Sequence, residues 1–205
     1  MNELLHKLYL ENVEKTIAKK GYSYFTKGDY NLNIIGVRKE NKNNVITNDF
    51  DDILVVTYYI GGYVRLHYFD ITTEPGIFYT KEELLNSKGT AILVPGQYKG
   101  AYKIGKHNNK YDALVQVKPV KVYRDDNKDD IYDLNPETID EGYFGINIHR
   151  SNPYVSSNKV DKWSAGCQVF KNPLCFNQFI KLCREQAKRF GNSFTYTLLD
   201  EKDFD

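Results

Sequence analysis

The chain predicts an α+β domain that is mainly β, on three observations. Tyr and Phe are abundant, with 17 and 11 copies among 205 residues, and aromatic side chains favour half-buried pleated surfaces. Short apolar runs recur between turn-forming segments along most of the chain, as strands do. Helical stripes stand out in only two places, one near each end.

Each element has a local reason. Leu4, Leu5, Leu8, Asn12, Val13 and Ile17 follow helical spacing and Gly21 stops the run. Residues 1–21 therefore predict an amphipathic helix, packed on or tethered to a single domain over residues 22–205. Leu32–Val37 reads as a strand, and the Asn- and Asp-rich stretch Lys39–Asp52 as a loop. Ile53–Ile60 and Tyr63–Phe69 flank Gly61-Gly62, a hairpin signal because glycine tolerates the positive φ of a primed turn. Thr72-Thr73-Glu74-Pro75-Gly76 is a turn, and Lys81–Asn86 one short helical turn. Ala91–Val94 and Leu114–Tyr123 predict strands, with Pro119 placing the second at an edge or a bulge. Tyr143–Ile148, Gly166–Phe170 and Phe194–Leu199 complete the strands. Between the last two, Asn172 caps a helix and Pro173 opens it. Its stripe is Phe176, Phe179, Ile180, Cys183, Ala187 and Phe190, and Gly191 ends it. No repeat and no linker rich in Pro, Gly or Ser divides the domain.

Charge narrows the function classes. Lys and Arg number 28 against 27 Asp and Glu, a net charge of +1. That excludes the broad basic footprint of a nucleic-acid or anionic-membrane binder. It also points to a substrate that is polar and uncharged overall, or zwitterionic. No stretch approaches the ~20 apolar residues of a membrane span; the longest, Ile53–Ile60, is diluted by Thr57, Tyr58 and Tyr59. Met1–Leu8 carries Glu3 and Lys7 without a continuous apolar run, so no secretory signal is read there. Cys167, Cys175 and Cys183 lack paired spacing, which fits a reducing compartment. Synthesis in the cytoplasm is the expectation.

Among the chemically capable residues, Cys183 belongs to the helix stripe and reads as core. Cys175 lies near the start of that helix with nothing else to recommend it. Cys167 follows Trp163-Ser164-Ala165-Gly166, a small-residue approach that brings backbone close to whatever the thiol attacks. With a free pKa of ~8.5, a thiol needs a base near neutral pH. His6 and His67 read as surface residues. His107, in the polar turn Gly105-Lys106-His107-Asn108-Asn109, reads as lining a cleft. His149 ends the run Gly145-Ile146-Asn147-Ile148, where a strand would fix its direction.

Gly145-Ile146-Asn147-Ile148-His149 followed by Ser164-Ala165-Gly166-Cys167 resembles the signature of L,D-transpeptidase catalytic domains. Their chain order, His before Cys, is the reverse of that in papain-like peptidases. Thr73-Glu74-Pro75-Gly76 is similar to a turn of that family. Gly89–Gln97, Gly142–Arg150 and Trp163–Phe170 are similar to phage-encoded proteins, so the resemblance runs over roughly residues 30–200. It implies a β-sandwich with an N-terminal helix and one helix after the nucleophile strand. It also implies Cys167 as nucleophile, His149 as general base, the Gly166 and Cys167 N–H groups as part of an oxyanion hole, and Ser164 as a brace of the turn. No cofactor is implied.

The sequence departs from the family at three positions. Ala165 stands where a His is usual, Arg150 where a Gly often follows the base, and Val169 where an Arg would meet a carboxylate. Arg150 or Arg124 is expected to replace that Arg by bidentate pairing, with His107 and Trp163 as further substrate contacts.

Asp125-x-Asn127-x-Asp129, followed by Asp133, has the alternating oxygens of a calcium loop. However, Asp130 replaces the usual Gly and Pro136 the closing Glu. Ca2+ is the one metal the sequence suggests, since zinc-ligand spacing is absent. Two function classes follow. One is a cysteine peptidase or L,D-transpeptidase acting on peptidoglycan stem peptides, with a phage lytic role at the cell wall. The other is a non-catalytic virion or cell-wall-binding module, partnered by other virion proteins, that keeps the fold.

Overall fold

The computed structural model describes residues 8–205; the first seven residues of the expected N-terminal helix lie outside them. In chain order the elements are α1 (Leu10–Lys19), β1 (Asn33–Arg38), β2 (Asp52–Ile60), β3 (Tyr63–Thr72), β4 (Thr90–Leu93), β5 (Gly96–His107), β6 (Tyr111–Gln116), β7 (Val120–Asp125), β8 (Asp140–Gly142), β9 (Ile148–Arg150), β10 (Gln168–Phe170), α2 (Pro173–Phe190) and β11 (Phe194–Asp200). One turn of π-helix at Phe78–Glu82 falls close to the expected helical turn.

The mainly β character holds, but the expected sandwich is corrected to a barrel. Eight strands close in the order β1-β11-β5-β6-β9-β10-β3-β2, and β4-β7-β8 form a separate three-stranded sheet. Closure follows from the pairing. β1 has β11 parallel on one side and β2 antiparallel on the other. Twelve-residue β5 joins β11 to β6, and β9 with β10 joins β6 to β3. Every barrel strand thus has two neighbours, which removes free sheet edges.

The core fills the barrel and extends under α2, where Phe176, Phe179 and Cys183 meet Phe170 and Phe69. Asn172 Oδ1 accepts the Leu174 and Cys175 N–H groups, and Pro173 occupies the tolerated first position, so this helix starts where its sequence indicates. Gly36 makes room inside the barrel, because a Cβ there would lie 1.9 Å from Tyr196 Oη. Tyr196 uses that room to donate at 2.7 Å to Oε1 of Gln168, the residue that follows Cys167.

The described part of the N-terminal helix docks on the barrel's outer face. Leu8, Val13 and Ile17 pack with Ile35, Val37, Ile53, Val55 and Leu199. Tyr68 Oη donates to Leu8 O at 2.6 Å, fixing the helix entry. No helix among the described residues is long and apolar enough to cross a membrane.

Candidate active site

The site forms where β9 and β10 run parallel at the barrel wall, with His149 opposite Val169 and Ile148 opposite Gln168. The turn before β10 is held by its own side chains. Ser164 is buried; its Oγ donates to Cys167 O at 2.8 Å and accepts the Gly166 N–H at 3.1 Å. Ser164 O accepts the Gly76 N–H at 2.9 Å, tying this turn to the Thr73–Gly76 turn. Gly166 has φ 119°, and a Cβ there would lie 2.2 Å from Ala91 O. Only glycine fits that approach.

A groove of about 900 Å3 opens over this wall. It is lined by Cys167, His149, His107, Arg150, Arg124 and Trp163, so the structure gathers every candidate side chain of the expected catalytic and substrate-binding set except Ser164. Ser164 and Gly166 lie behind the groove as supports of the turn. The Gly166 N–H is committed to Ser164 Oγ, whereas the Cys167 N–H makes no hydrogen bond among the described residues. Of the two expected oxyanion donors, the second is the one left free.

Hydrogen-bond partners assign the tautomers. His149 is 4% exposed, and its Nδ1 lies 2.8 Å from Arg150 O, an obligate acceptor. Nδ1 therefore carries the proton, and Nε2 keeps the lone pair that a general base needs. Tyr111 Oη also donates to Arg150 O, at 3.2 Å, and lies 3.3 Å from His149 Nδ1. Asn147 fixes the second ring: its Oδ1 accepts the Gln116 N–H at 2.9 Å, which turns its amide nitrogen towards His107 Nδ1 at 3.1 Å. His107 thus accepts at Nδ1 and is neutral in this arrangement.

Electrostatics favour the uncharged form of both candidate groups. Burial, and then the neighbouring His107, push the His149 pKa down to about 3, against the opposing hydrogen bond to Arg150 O. Burial pushes the Cys167 thiol up to about 11, against the opposing hydrogen bond from Asn147. The thiol donates to Gly145 O at 3.3 Å, and the Asn147 N–H donates to the sulfur at 3.4 Å. No hydrogen bond joins Sγ to His149 among the described residues. The two groups share the groove as a neutral pair, not as a thiolate–imidazolium pair.

The two arginines differ. Arg150 stacks over Tyr111 with its guanidinium carbon 4.1 Å from the ring centre, and forms no ion pair among the described residues. Arg124 is buried and already engaged: it donates to Gly89 O at 3.1 Å and pairs with Asp140 at 3.1 Å. Arg150 is therefore the guanidinium open to a ligand. Trp163 is partly exposed at the groove wall. The polar turn expected around His107 starts one residue later: His107 ends β5 and faces His149. Asn108 and Asn109 make the turn, closed by the Lys110 N–H donating to His107 O at 2.9 Å.

In the Asp125–Asp129 loop the exposed oxygens bond within the loop, whereas Asp125 Oδ2 is buried without a partner. Asn127 Nδ2 donates to Asp129 Oδ2 and Asp133 Oδ2, Asn127 Oδ1 accepts the Asp129 N–H, and Asp129 Oδ1 accepts the Ile131 N–H. No group of three His, Cys, Asp or Glu side chains among the described residues is arranged to hold a metal. Asp125 is buried at the end of β7, where burial and then Asp133 push its carboxyl up to about 6.

Sequence pattern alone does not single out Asn147 or Tyr111. Asn147 lies inside the His149 motif, and its position two residues before the base is the available signal. Comparison with protein-family models, with curated proteins and with solved structures yields no match.

Proposed function

We propose that this protein is a cysteine enzyme acting on peptidoglycan stem peptides, as a phage lytic peptidase or L,D-transpeptidase. One observation carries the reading. A thiol, a neutral imidazole with its Nε2 lone pair free, and an unpaired backbone N–H share one open groove. The motif resemblance supplies the substrate class.

In this reading the thiol leaves Gly145 O and passes its proton to His149 Nε2. Sγ bonds to the stem carbonyl carbon, and the Cys167 N–H stabilises the developing oxyanion; such a donor contributes on the order of 3 kcal/mol to the barrier. The imidazolium returns the proton to the departing amine as the carbon–nitrogen bond breaks, leaving a thioester. Water then gives hydrolysis, or a second amine gives cross-linking, and Cys167 regains its proton.

Mass spectrometry of muropeptides tests it. The wild type produces cleaved or cross-linked stems and Cys167→Ala produces none; equal product from both overturns the reading. A second reading, a non-catalytic virion or wall-binding module, draws on the thiol's resting bond to Gly145 O rather than to the base. Retained wall binding with no turnover by the wild type favours it.

A further inference from the structure

The near-neutral chain hides a segregated charge. Lys110, Arg124, Arg150 and Lys162 line the groove, and no Asp or Glu does, although acids and bases are almost equal in number overall. Arg124 is neutralised by Asp140. Lys162 holds its ammonium 3.8 Å above the Phe78 ring, a contact that leaves the charge in place. Lys110 and Arg150 make no ion pair among the described residues. Three uncompensated cations thus face a concavity whose low-dielectric walls concentrate their field. The balanced total charge suggests an uncharged or zwitterionic substrate; the distribution points elsewhere.

We propose that the groove selects an acidic peptide, one bearing at least two free carboxylates, over the same peptide with those groups amidated. The proposal rests on the enzymatic reading for its stem-peptide substrate and adds the charge state of that stem. Arg150 provides the directional contact: its planar fork suits a carboxylate, and its stack on Tyr111 pre-orients it beside the base. Lys110 and Lys162 add charge without fixing geometry. A peptide is favoured over a nucleic-acid strand because these three cations are confined to one groove and the chain as a whole carries no basic excess to follow a phosphate backbone.

The chain has a single Trp, and Trp163 lines this groove at 39% exposure, so its fluorescence reports occupancy without turnover. Full-length Cys167→Ala protein is titrated with acetylated triglutamate, with its fully amidated counterpart, and with a short oligothymidylate. The expected result is triglutamate binding at least tenfold tighter than the amidated peptide, weakened by salt, and weakened again by Arg150→Gln or by the surface change Lys162→Glu. Equal affinity for the two peptides, or tighter binding of the oligothymidylate, overturns the proposal. Wild-type turnover separates the two claims. Selective triglutamate binding without stem turnover leaves the charge selectivity and removes the enzyme. Equal turnover of free and amidated stems leaves the enzyme and removes the selectivity.

Discussion

The His107 and His149 rings lie face to face, 4.0 Å between centroids and 18° from parallel. One is the proposed base; the other is pinned by Asn147, whose own N–H reaches the Cys167 sulfur. On the proposed enzymatic reading, His107 is a positioning residue that shields the base from water and fixes its ring plane. His107→Ala should lower kcat/KM on the order of 10–100-fold, as expected when a reacting group loses its orientation. It should also move the acidic limb of the pH–rate profile upwards, because removing the ring lessens the burial that holds His149 neutral. His107→Phe keeps the stack and should leave that limb near its wild-type position. An unmoved limb in the alanine variant would refute the shielding role.

Cys167 reactivity should carry the mark of a neutral pair. Burial holds the thiol up at about 11 and the imidazole down at about 3, so neither ionises near pH 7. Alkylation of Cys167 in the free protein should climb steadily with pH through the neutral and mildly alkaline range. His149→Ala should scarcely alter that climb while abolishing turnover, since the base is needed only when a carbonyl is present. A low-pH plateau of reactivity, lost in His149→Ala, would indicate an ion pair instead. Peptide mapping after timed alkylation distinguishes the two.

Gly166 is the tightest point of the turn that leads into Cys167. Its φ of 119° and the 2.2 Å that would separate an added Cβ from Ala91 O oppose any side chain. Gly166→Ala should cost about 2 kcal/mol or more, from backbone strain and the shift needed to relieve the clash. Denaturant midpoints measure this; an unchanged midpoint would mean the turn relaxes freely. Gly145, by contrast, has nothing within 4 Å of its Cβ position despite φ 71°, so Gly145→Ala should cost less.

What the sequence discloses and what it conceals follow from how much local signal each segment carries. Helix α2 is legible end to end, because Asn172, Pro173 and Gly191 mark both boundaries and its apolar stripe is regular. The β2–β3 hairpin is legible for the same reason, with Gly61-Gly62 at its turn. Strand β5 is not: Lys99, Lys103 and Lys106 with Gly96, Gly100 and Gly105 dilute its apolar alternation, and only Ala101 and Tyr102 are buried. Without β5 the strands read from the residues cannot close a barrel, and the sandwich rests on the motif resemblance alone. The run Leu114–Tyr123 divides at Pro119 into strands of two different sheets, as a residue without an N–H permits. Tyr143–Ile148 reads as strand by composition, yet Gly145 turns the chain and only Ile148 enters β9. In the site, His149 and Cys167 carry motif context. Tyr111 acts through a hydroxyl brought by β6 from a distant part of the chain, which no local pattern announces.

Next to the turn that leads into Cys167 lies a buried charge cluster whose pH response is predictable. Arg38 donates to Thr73 Oγ1, Thr73 O and Leu93 O, and its Nε lies 3.5 Å from Glu74 Oε1. Asp52 accepts the Lys39 and Thr73 N–H groups. Glu74 thus pairs with Arg38, while Asp52 feels the same guanidinium without contacting it. Burial raises the Glu74 pKa, and Asp52 raises it further, against the pull of Arg38. The folded state then holds its proton more tightly than the unfolded chain, where a Glu titrates near ~4.3. The resulting stability is complete below that unfolded value and drains away as pH rises towards the folded one, by up to ~1.4 kcal/mol per pH unit for one proton. Glu74→Gln removes the titrating group while keeping the shape. Its stability relative to wild type should accordingly improve between about pH 5 and pH 8, where the wild type is losing this contribution. Thermal melts of both proteins across that interval measure the difference. A constant offset between them would show that Glu74 is already ionised in the fold, with Arg38 outweighing burial and the neighbouring carboxylate.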